Sequence, residues 1–305
     1  MTGPGGVVVI VGPTASGKSS LAVELCRRVG DAEIVNADSM QLYRGMDVGT
    51  AKITTDERHG VRHHLLDVLD VTEPASVAEF QQSARTAIAE CHARGVTPVL
   101  VGGSSLYVRA VIDRLDFPGT DAEVRARWEA ELAARGAEPL HALLAERDPD
   151  AAAQILPTNG RRIVRALEVI ELTGEPFVAT LPPFESIYSE VTLIGLDVPR
   201  EVLDARIADR VDRMWAAGFV DEVRELLPSG LAKGPTASRA LGYRQVLEFL
   251  DGSMTEDEAR DATIAGTRAF ARRQDRLFRK DPRITWLAYD DPALLEAAEA
   301  ITLRP

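Results

Sequence analysis

Cysteine is scarce in these 305 residues: only Cys26 and Cys91 are present. Each falls within a helical pattern and neither has metal-ligand spacing around it, which points to buried, reduced thiols. Long apolar runs are missing too. None approaches the roughly 20 residues that a membrane helix needs, and the opening MTGPGGVVVIVG lacks the basic region of a signal peptide, so a cytoplasmic protein with no membrane contact is expected. The chain has no internal repeat and no low-complexity tract. Net positive charge is also absent. At −12 the balance argues, on its face, against a nucleic-acid partner, because phosphate backbones are bound by Lys and Arg. The distribution qualifies that sum: residues 268–280, RAFARRQDRLFRK, hold six basic residues and one acid, so a basic patch can sit on an acidic protein.

What is present is an ordinary globular composition, 45% hydrophobic and 27% charged, in a chain long enough for one large domain with an insertion or for two modest ones. Short apolar runs at residues 7–11, 33–36, 65–68, 98–101, 191–196 and 284–287 read as strands. Helical patterns alternate with them. One covers residues 18–29, and another opens at Ser76 in capping-box form and runs to about residue 93, where Gly95 ends it. Such alternation predicts an α/β fold with a mostly parallel sheet flanked by helices. Between residues 115 and 185 the strand pattern stops, and helices are expected at 122–135, 139–146, 151–155 and 161–172. The predicted organisation is therefore a core beginning at residues 1–114, an all-helical insertion at 115–185, and the remainder of the core at 186–305. Phe117-Pro118-Gly119 and Leu181-Pro182-Pro183 read as the hinges.

Chemistry enters at Gly12-Pro13-Thr14-Ala15-Ser16-Gly17-Lys18-Ser19, which fits G-x-x-x-x-G-K-[ST] between a strand and a helix. Gly12 and Gly17 let the backbone curl so that successive amides point inward. Lys18 adds a mobile positive charge, Ser19 a hydroxyl for Mg²⁺, and the helix dipole reinforces the field. This P-loop selects a diphosphate or a triphosphate without saying which, and on its own it equally marks nucleotide- and ATP-binding proteins such as small-molecule kinases. A nucleoside triphosphatase should also carry an acid at the end of a later apolar strand. The nearest candidate is Asp38, after the second strand. At the carboxyl end of a parallel strand it could hold a metal through water, accept a proton, or, with Ser39, cap a helix. His63 and His64 with Asp67 could suggest a metal site, but adjacent side chains on a strand point opposite ways, and structural roles are expected for both histidines.

Further segments narrow these alternatives. Asp38-Ser39-Met40-Gln41-Leu42-Tyr43 precedes Gly49-Thr50-Ala51-Lys52, His63-His64-Leu65-Leu66-Asp67 and Val101-Gly102-Gly103-Ser104-Ser105-Leu106-Tyr107. Arg165-Ala166-Leu167-Glu168-Val169, Gly242-Tyr243-Arg244-Gln245 and Ala271-Arg272-Arg273-Gln274 follow. In this order, behind the P-loop, they closely resemble the bacterial tRNA dimethylallyltransferases over nearly the whole chain. The resemblance implies transfer of a dimethylallyl group from dimethylallyl diphosphate to the exocyclic N6 of an adenine beside the tRNA anticodon. The P-loop would then hold the diphosphate, with Lys18 and Mg²⁺ on Ser19 stabilising the charge that develops on it. By the same resemblance Asp38 is the general base, and Arg210 a catalytic diphosphate contact from the opposite side.

The resemblance also implies contacts to the tRNA anticodon stem-loop from Asp38, Ser39, Met40 and Gln41, whose amide can read adenine, and from Ser104, Arg127, Arg161, Arg162 and Arg165. It extends them to Gly242, Tyr243, Arg244, Arg272, Arg273 and Gln274, and the basic helical stripe of the last of these segments adds Arg276 and Arg279. Helical spacing groups several of these: Arg161 with Arg165, Arg206 with Arg210 and Arg213, and Arg268 with Arg272, Arg276 and Arg279. Five positions depart from the family pattern: Ser104 stands where threonine is usual, keeping the hydroxyl, Ser105 where glycine is usual, Ile53 where proline is common, and Arg276 and Leu277 where threonine and tryptophan are usual. No obligate protein partner is indicated.

Overall fold

Residues 7–11 alternate between two cores. Val7, Val9 and Val11 pack with Phe80, Ile88, Tyr107 and Val111, while Val8 and Ile10 pack with Leu21, Leu25, Cys26 and Ala298. A strand buried on both faces must lie inside a sheet covered by helices on each side. In the computed structural model, which describes residues 6–178 and 182–303, that is its place. The chain forms two compact units, Met1–Asp113 with Ser186–Pro305, and Arg114–Glu185.

The first unit begins with β1 (Gly6–Val11), α1 (Lys18–Val29), β2 (Ala32–Asn36), β3 (His63–His64), α2 (Val77–Ala93), β4 (Thr97–Gly102) and α3 (Ser105–Ile112). The second unit is α4 (Ala122–Arg135), α5 (Ala137–Arg147), α6 (Pro149–Gln154) and α7 (Gly160–Thr173). The first unit then resumes with β5 (Glu190–Asp197), α8 (Arg200–Ala216), α9 (Phe219–Leu226), α10 (Tyr243–Leu250), α11 (Glu256–Phe278), β6 (Ile284–Ala288) and α12 (Leu294–Thr302). The strands pair in the order β3-β2-β4-β1-β5-β6, all parallel. Their carboxyl ends therefore share one edge. The order also places β1 between β4 and β5, so the loops leaving β1, β2 and β4 open side by side.

Local signals explain the element ends. Ser76 accepts from Glu79 N at the start of α2, Thr255 and Glu258 form a capping box on α11, and Gly95 follows α2 at φ 70°. The run at 65–68 does not form a strand. Leu65 and Asp67 adopt positive φ, Asn36 Nδ2 donates to Leu65 O, and the Val68 and Leu69 amides donate to Leu42 O. The segment's backbone bonds thus go to the loop after β2 rather than to the sheet. In the second unit α4–α7 bury Trp128, Leu140, Leu144, Ile163 and Leu167, and Asp148 both caps α6 through Ala151 N and accepts from Phe177 N. Leu181, expected at a hinge, lies outside the described residues.

Candidate active site at the carboxyl ends of the strands

The loop from β1 to α1 wraps tightly. A Cβ on Gly12 would meet Ser16 Oγ at 2.8 Å, and Gly17 starts α1 at φ 99°, where a side chain would be strained. Ala15 carries positive φ without being glycine, a local strain held by the Ser16 N to Pro13 O turn bond. Lys18 folds back so that Nζ donates to Pro13 O at 3.4 Å. Burial lowers its pKa to about 8; the charge of Asp38 works against that shift and the charge of Arg210 adds to it. Ser19 lines the same cleft and is exposed.

Asp38 follows β2, anchored to β4 through Ala37 N and Val101 O. Asn36 brackets it, accepting from Asp38 N at 3.0 Å and donating to Asp38 O at 3.0 Å. Asp38 Oδ1 accepts from Met40 N, so the residue closes a tight turn and caps no α-helix. Across the cleft, Arg210 reaches from α8: Nη1 donates to Thr14 Oγ1 and Nη2 to Thr50 O, both at 3.3 Å. Burial lowers the Arg210 pKa, and Asp38 opposes the shift. Gln41 donates to the same Thr50 carbonyl at 3.3 Å. Lys18, Ser19, Asp38, Gln41, Thr50 and Arg210 line one cleft with about 610 Å³ of free space, its open mouth included. Two cations, an open loop of amides, a carboxylate and a side-chain amide around one cleft suit an anionic leaving group next to a proton-losing acceptor.

Ser104 caps α3 by accepting from Tyr107 N, and Ser105 is simply the first helical residue, so its departure from glycine costs no turn. Arg272, Arg273 and Arg276 are exposed on α11. Three residues expected at the RNA surface, Gln274, Gly242 and Tyr243, are instead buried. Gln274 accepts from Thr14 N at 2.9 Å and donates to Gly103 O at 2.8 Å, clasping the P-loop to the end of β4. Tyr243 is fully buried with its hydroxyl on Glu222, and a side chain on Gly242 would strike Phe219. Arg279 is taken up by Asp197 and Asp275 and lies 3.7 Å over the Trp286 ring. Arg268 bonds Asp204 O and Arg206 stacks on Tyr289, so neither basic stripe survives whole. Arg244 is exposed beside Glu248.

In the second unit Arg161 and Arg162 are exposed at the start of α7, whereas Arg165 donates to the Pro118 and Gly119 carbonyls and to Glu168, and Arg127 pairs with Glu171. These last two hold the unit together.

The histidines divide as their strand geometry requires. His63 bonds Val61 O at 2.8 Å and lines the cleft, and His64 meets Glu33 at 2.7 Å. Glu33 and Cys91 approach His64 closely, a grouping that spacing along the chain did not reveal. Arg94 grips both Glu33 oxygens at 2.6 Å and holds that carboxyl at about pKa 2, so the cluster is already charge-balanced. Asn36, Thr50 and Glu222 were not anticipated. Asn36, two residues before Asp38 at a strand end, carried a local signal as a turn former; Thr50 lay in the segment 49–52 that carries the resemblance, and Glu222 carried no signal.

A family model described as IPP transferase matches residues 41–281. A tRNA dimethylallyltransferase of Thermobifida fusca (strain YX) is 62% identical over 299 residues, covering 97% of this chain and 93% of that one. Another, from Kineococcus radiotolerans, is 65% identical over 291 residues, with 93% and 91% covered. The solved structure of a tRNA isopentenylpyrophosphate transferase from Bacillus halodurans is 42% identical with TM-score 0.72, covering 97% of this chain and 95% of that one. A eukaryotic dimethylallyltransferase acting on tRNA shares the fold at 24% identity and TM-score 0.81.

Proposed function

The chain belongs to the IPP transferase family, and from that premise we infer that it transfers a dimethylallyl group from dimethylallyl diphosphate to the exocyclic N6 of an adenine adjacent to the anticodon in tRNA, releasing diphosphate. The observation that carries the reading is that Lys18, Arg210, Asp38 and Gln41 face one cleft. The P-loop amides and Lys18 receive the diphosphate from one side and Arg210 from the other. As the allylic carbon–oxygen bond breaks, negative charge grows on the diphosphate, where those cations lie. The adenine nitrogen attacks the allylic carbon, forms the carbon–nitrogen bond and loses a proton to the Asp38 carboxylate. An adenine amine is a weak base and a weak acid beforehand, so position matters more than a shifted pKa.

The Ser19 hydroxyl and the Asp38 carboxylate offer oxygen donors to the same cleft, which fits a hard cation such as Mg²⁺ that keeps several of its waters. Bound there, Mg²⁺ would add positive charge for the leaving diphosphate. Gln41 has the amide to pair with the base edge. Reaching an adenine in a folded loop means drawing it out of its stack at a cost of a few kcal/mol. Exposed Arg272, Arg273 and Arg276 on α11, and Arg161 and Arg162 on α7, supply contacts that offset it. Among the described residues no helix is long and apolar enough to cross a membrane; a cytoplasmic site of action is part of this reading.

One assay tests the whole. The protein is incubated with dimethylallyl diphosphate, Mg²⁺ and either AMP or an anticodon stem-loop, and the products are weighed. The expected product is RNA heavier by one dimethylallyl unit, with AMP unchanged. Prenylated AMP would mean a free-nucleotide acceptor, and ATP turnover without prenyl transfer would mean a kinase-like enzyme.

A further inference from the structure

Glu222, in α9, touches no group of the cleft, yet its carboxylate gathers four donors. It accepts from three successive backbone amides, Asp47 N at 2.9 Å, Val48 N at 2.6 Å and Gly49 N at 3.1 Å, and from the Tyr243 hydroxyl at 2.6 Å. Successive amides turned to one side form an anion-binding concavity. Here the anion is supplied by the protein itself, from about 175 residues further along the chain. The fit is close. A Cβ on Gly49 would meet the Phe219 ring at 2.0 Å and the Tyr243 ring at 2.7 Å, so the loop is pressed against α9 and α10 with no room for a side chain. On the loop's far side, Lys52 Nζ ties Tyr43 O, Asp47 Oδ1 and Asp67 Oδ1 together.

The residue after this concavity is Thr50. Its carbonyl accepts from Arg210 Nη2 and from Gln41 Nε2, each at 3.3 Å. A single peptide therefore orients both the cation facing the diphosphate and the amide facing the acceptor base. Thr50 Oγ1 is spent on Met46 O at 2.6 Å, which leaves the carbonyl's place to be set by the loop backbone. Arg210 and Gln41 come from different elements, so nothing local to either one fixes their spacing.

We propose that Glu222 is a positioning residue for both substrates: by holding the amides of residues 47–49 it sets the Thr50 carbonyl, and through it the aim of Arg210 at the diphosphate and of Gln41 at the base. The assignment rests on the dimethylallyl-transfer reading. Glu222→Gln keeps the shape but turns an NH₂ group toward a set of donors, which loosens the loop without opening a cavity. Tyr243→Phe removes one of the four donors, together with the hydroxyl's own hydrogen bond to the Gly49 backbone.

The test is steady-state kinetics with dimethylallyl diphosphate and an anticodon stem-loop, together with calorimetric binding of inorganic diphosphate in Mg²⁺. Glu222→Gln is expected to raise KM for both substrates about tenfold and to weaken diphosphate binding by a similar factor, with Tyr243→Phe changing each about threefold in the same direction. In an Arg210→Ala background, Glu222→Gln should add less than about twofold to the diphosphate effect while still raising KM for the stem-loop. A merely structural residue would give full additivity in that background. Full additivity, or unchanged KM values in a folded Glu222→Gln protein, overturns the proposal. If Glu222→Gln does not fold, Tyr243→Phe with and without Arg210→Ala decides by the same criterion. Absence of transfer by the unmodified protein would sink the functional reading instead, and the diphosphate calorimetry would still judge Glu222.

Discussion

Gln274 accepts the backbone N–H of Thr14 at 2.9 Å, 260 residues away in sequence, and its amide nitrogen donates to Gly103 O. The long helix α11, which carries exposed Arg272, Arg273 and Arg276, is thereby bonded directly to the phosphate loop. Truncating Gln274 to Ala leaves one part-buried and one buried backbone group without this partner, a loss of about 1–3 kcal/mol. It should lower the denaturant midpoint and raise KM for dimethylallyl diphosphate. Gly103→Ala attacks the clasp from the other side, because its Cβ would lie 2.4 Å from Gln274 Nε2. Its effect on KM should shrink once Gln274 is already Ala; equal effects in both backgrounds would show that Gly103 acts elsewhere.

Asp38 is held by Asn36 on both sides of its own peptide. Asp38→Ala is expected to cut kcat by roughly 10²–10⁴-fold, the range for a lost general base, with stem-loop affinity within about threefold of the unmodified protein. Filter binding and single-turnover rates separate the two. Near-normal turnover would end the base assignment.

Diphosphate affinity should fall as pH rises through about 8, the lowered pKa of Lys18. The sign follows from charge: the ammonium attracts the anion, the neutral amine does not, and the proton is lost above that pKa. Bound diphosphate favours the ammonium, so kcat should hold to higher pH than kcat/KM. Removing the Asp38 charge with Asp38→Asn should move the binding limb to lower pH, because that charge raises the Lys18 pKa. Removing Arg210 should move it higher. Calorimetry with inorganic diphosphate across pH 6–10 reads all three, and a limb that ignores both substitutions would take Lys18 out of the binding equilibrium.

Arg272→Ala should weaken stem-loop binding and reduce the slope of log affinity against log salt by about 0.7–1, the value of one lost phosphate contact. Arg279→Ala should leave that slope nearly unchanged, since Asp197 and Asp275 already neutralise it. An unchanged slope for Arg272→Ala would remove it from the contact surface.

Some of this was readable from the chain alone because its causes are local. A phosphate cradle needs only consecutive amides and two glycines, so eight residues at 12–19 announce it. The cap at Ser76, the stop at Gly95 and the continuous β-branched run of β1 likewise depend on neighbours within a few positions. Residues 65–68 have the composition of a strand, yet their backbone bonds go to Leu42 and Asn36, a competition decided outside the segment. Helical spacing placed Arg272, Arg276 and Arg279 on one face without saying that Asp197 would claim the last of them.

The same limit governs the site. The sequence by itself determined the glycine-rich loop at residues 12–19, the parallel α/β core and the carboxylate at the end of the second strand. Only the tertiary structure decided which long-range partners hold them: Gln274 on Thr14, Arg210 on Thr50, Glu222 on residues 47–49. Those bonds join residues 160 or more positions apart. Their existence depends on how the sheet order brings loops together, and no local propensity encodes that distance.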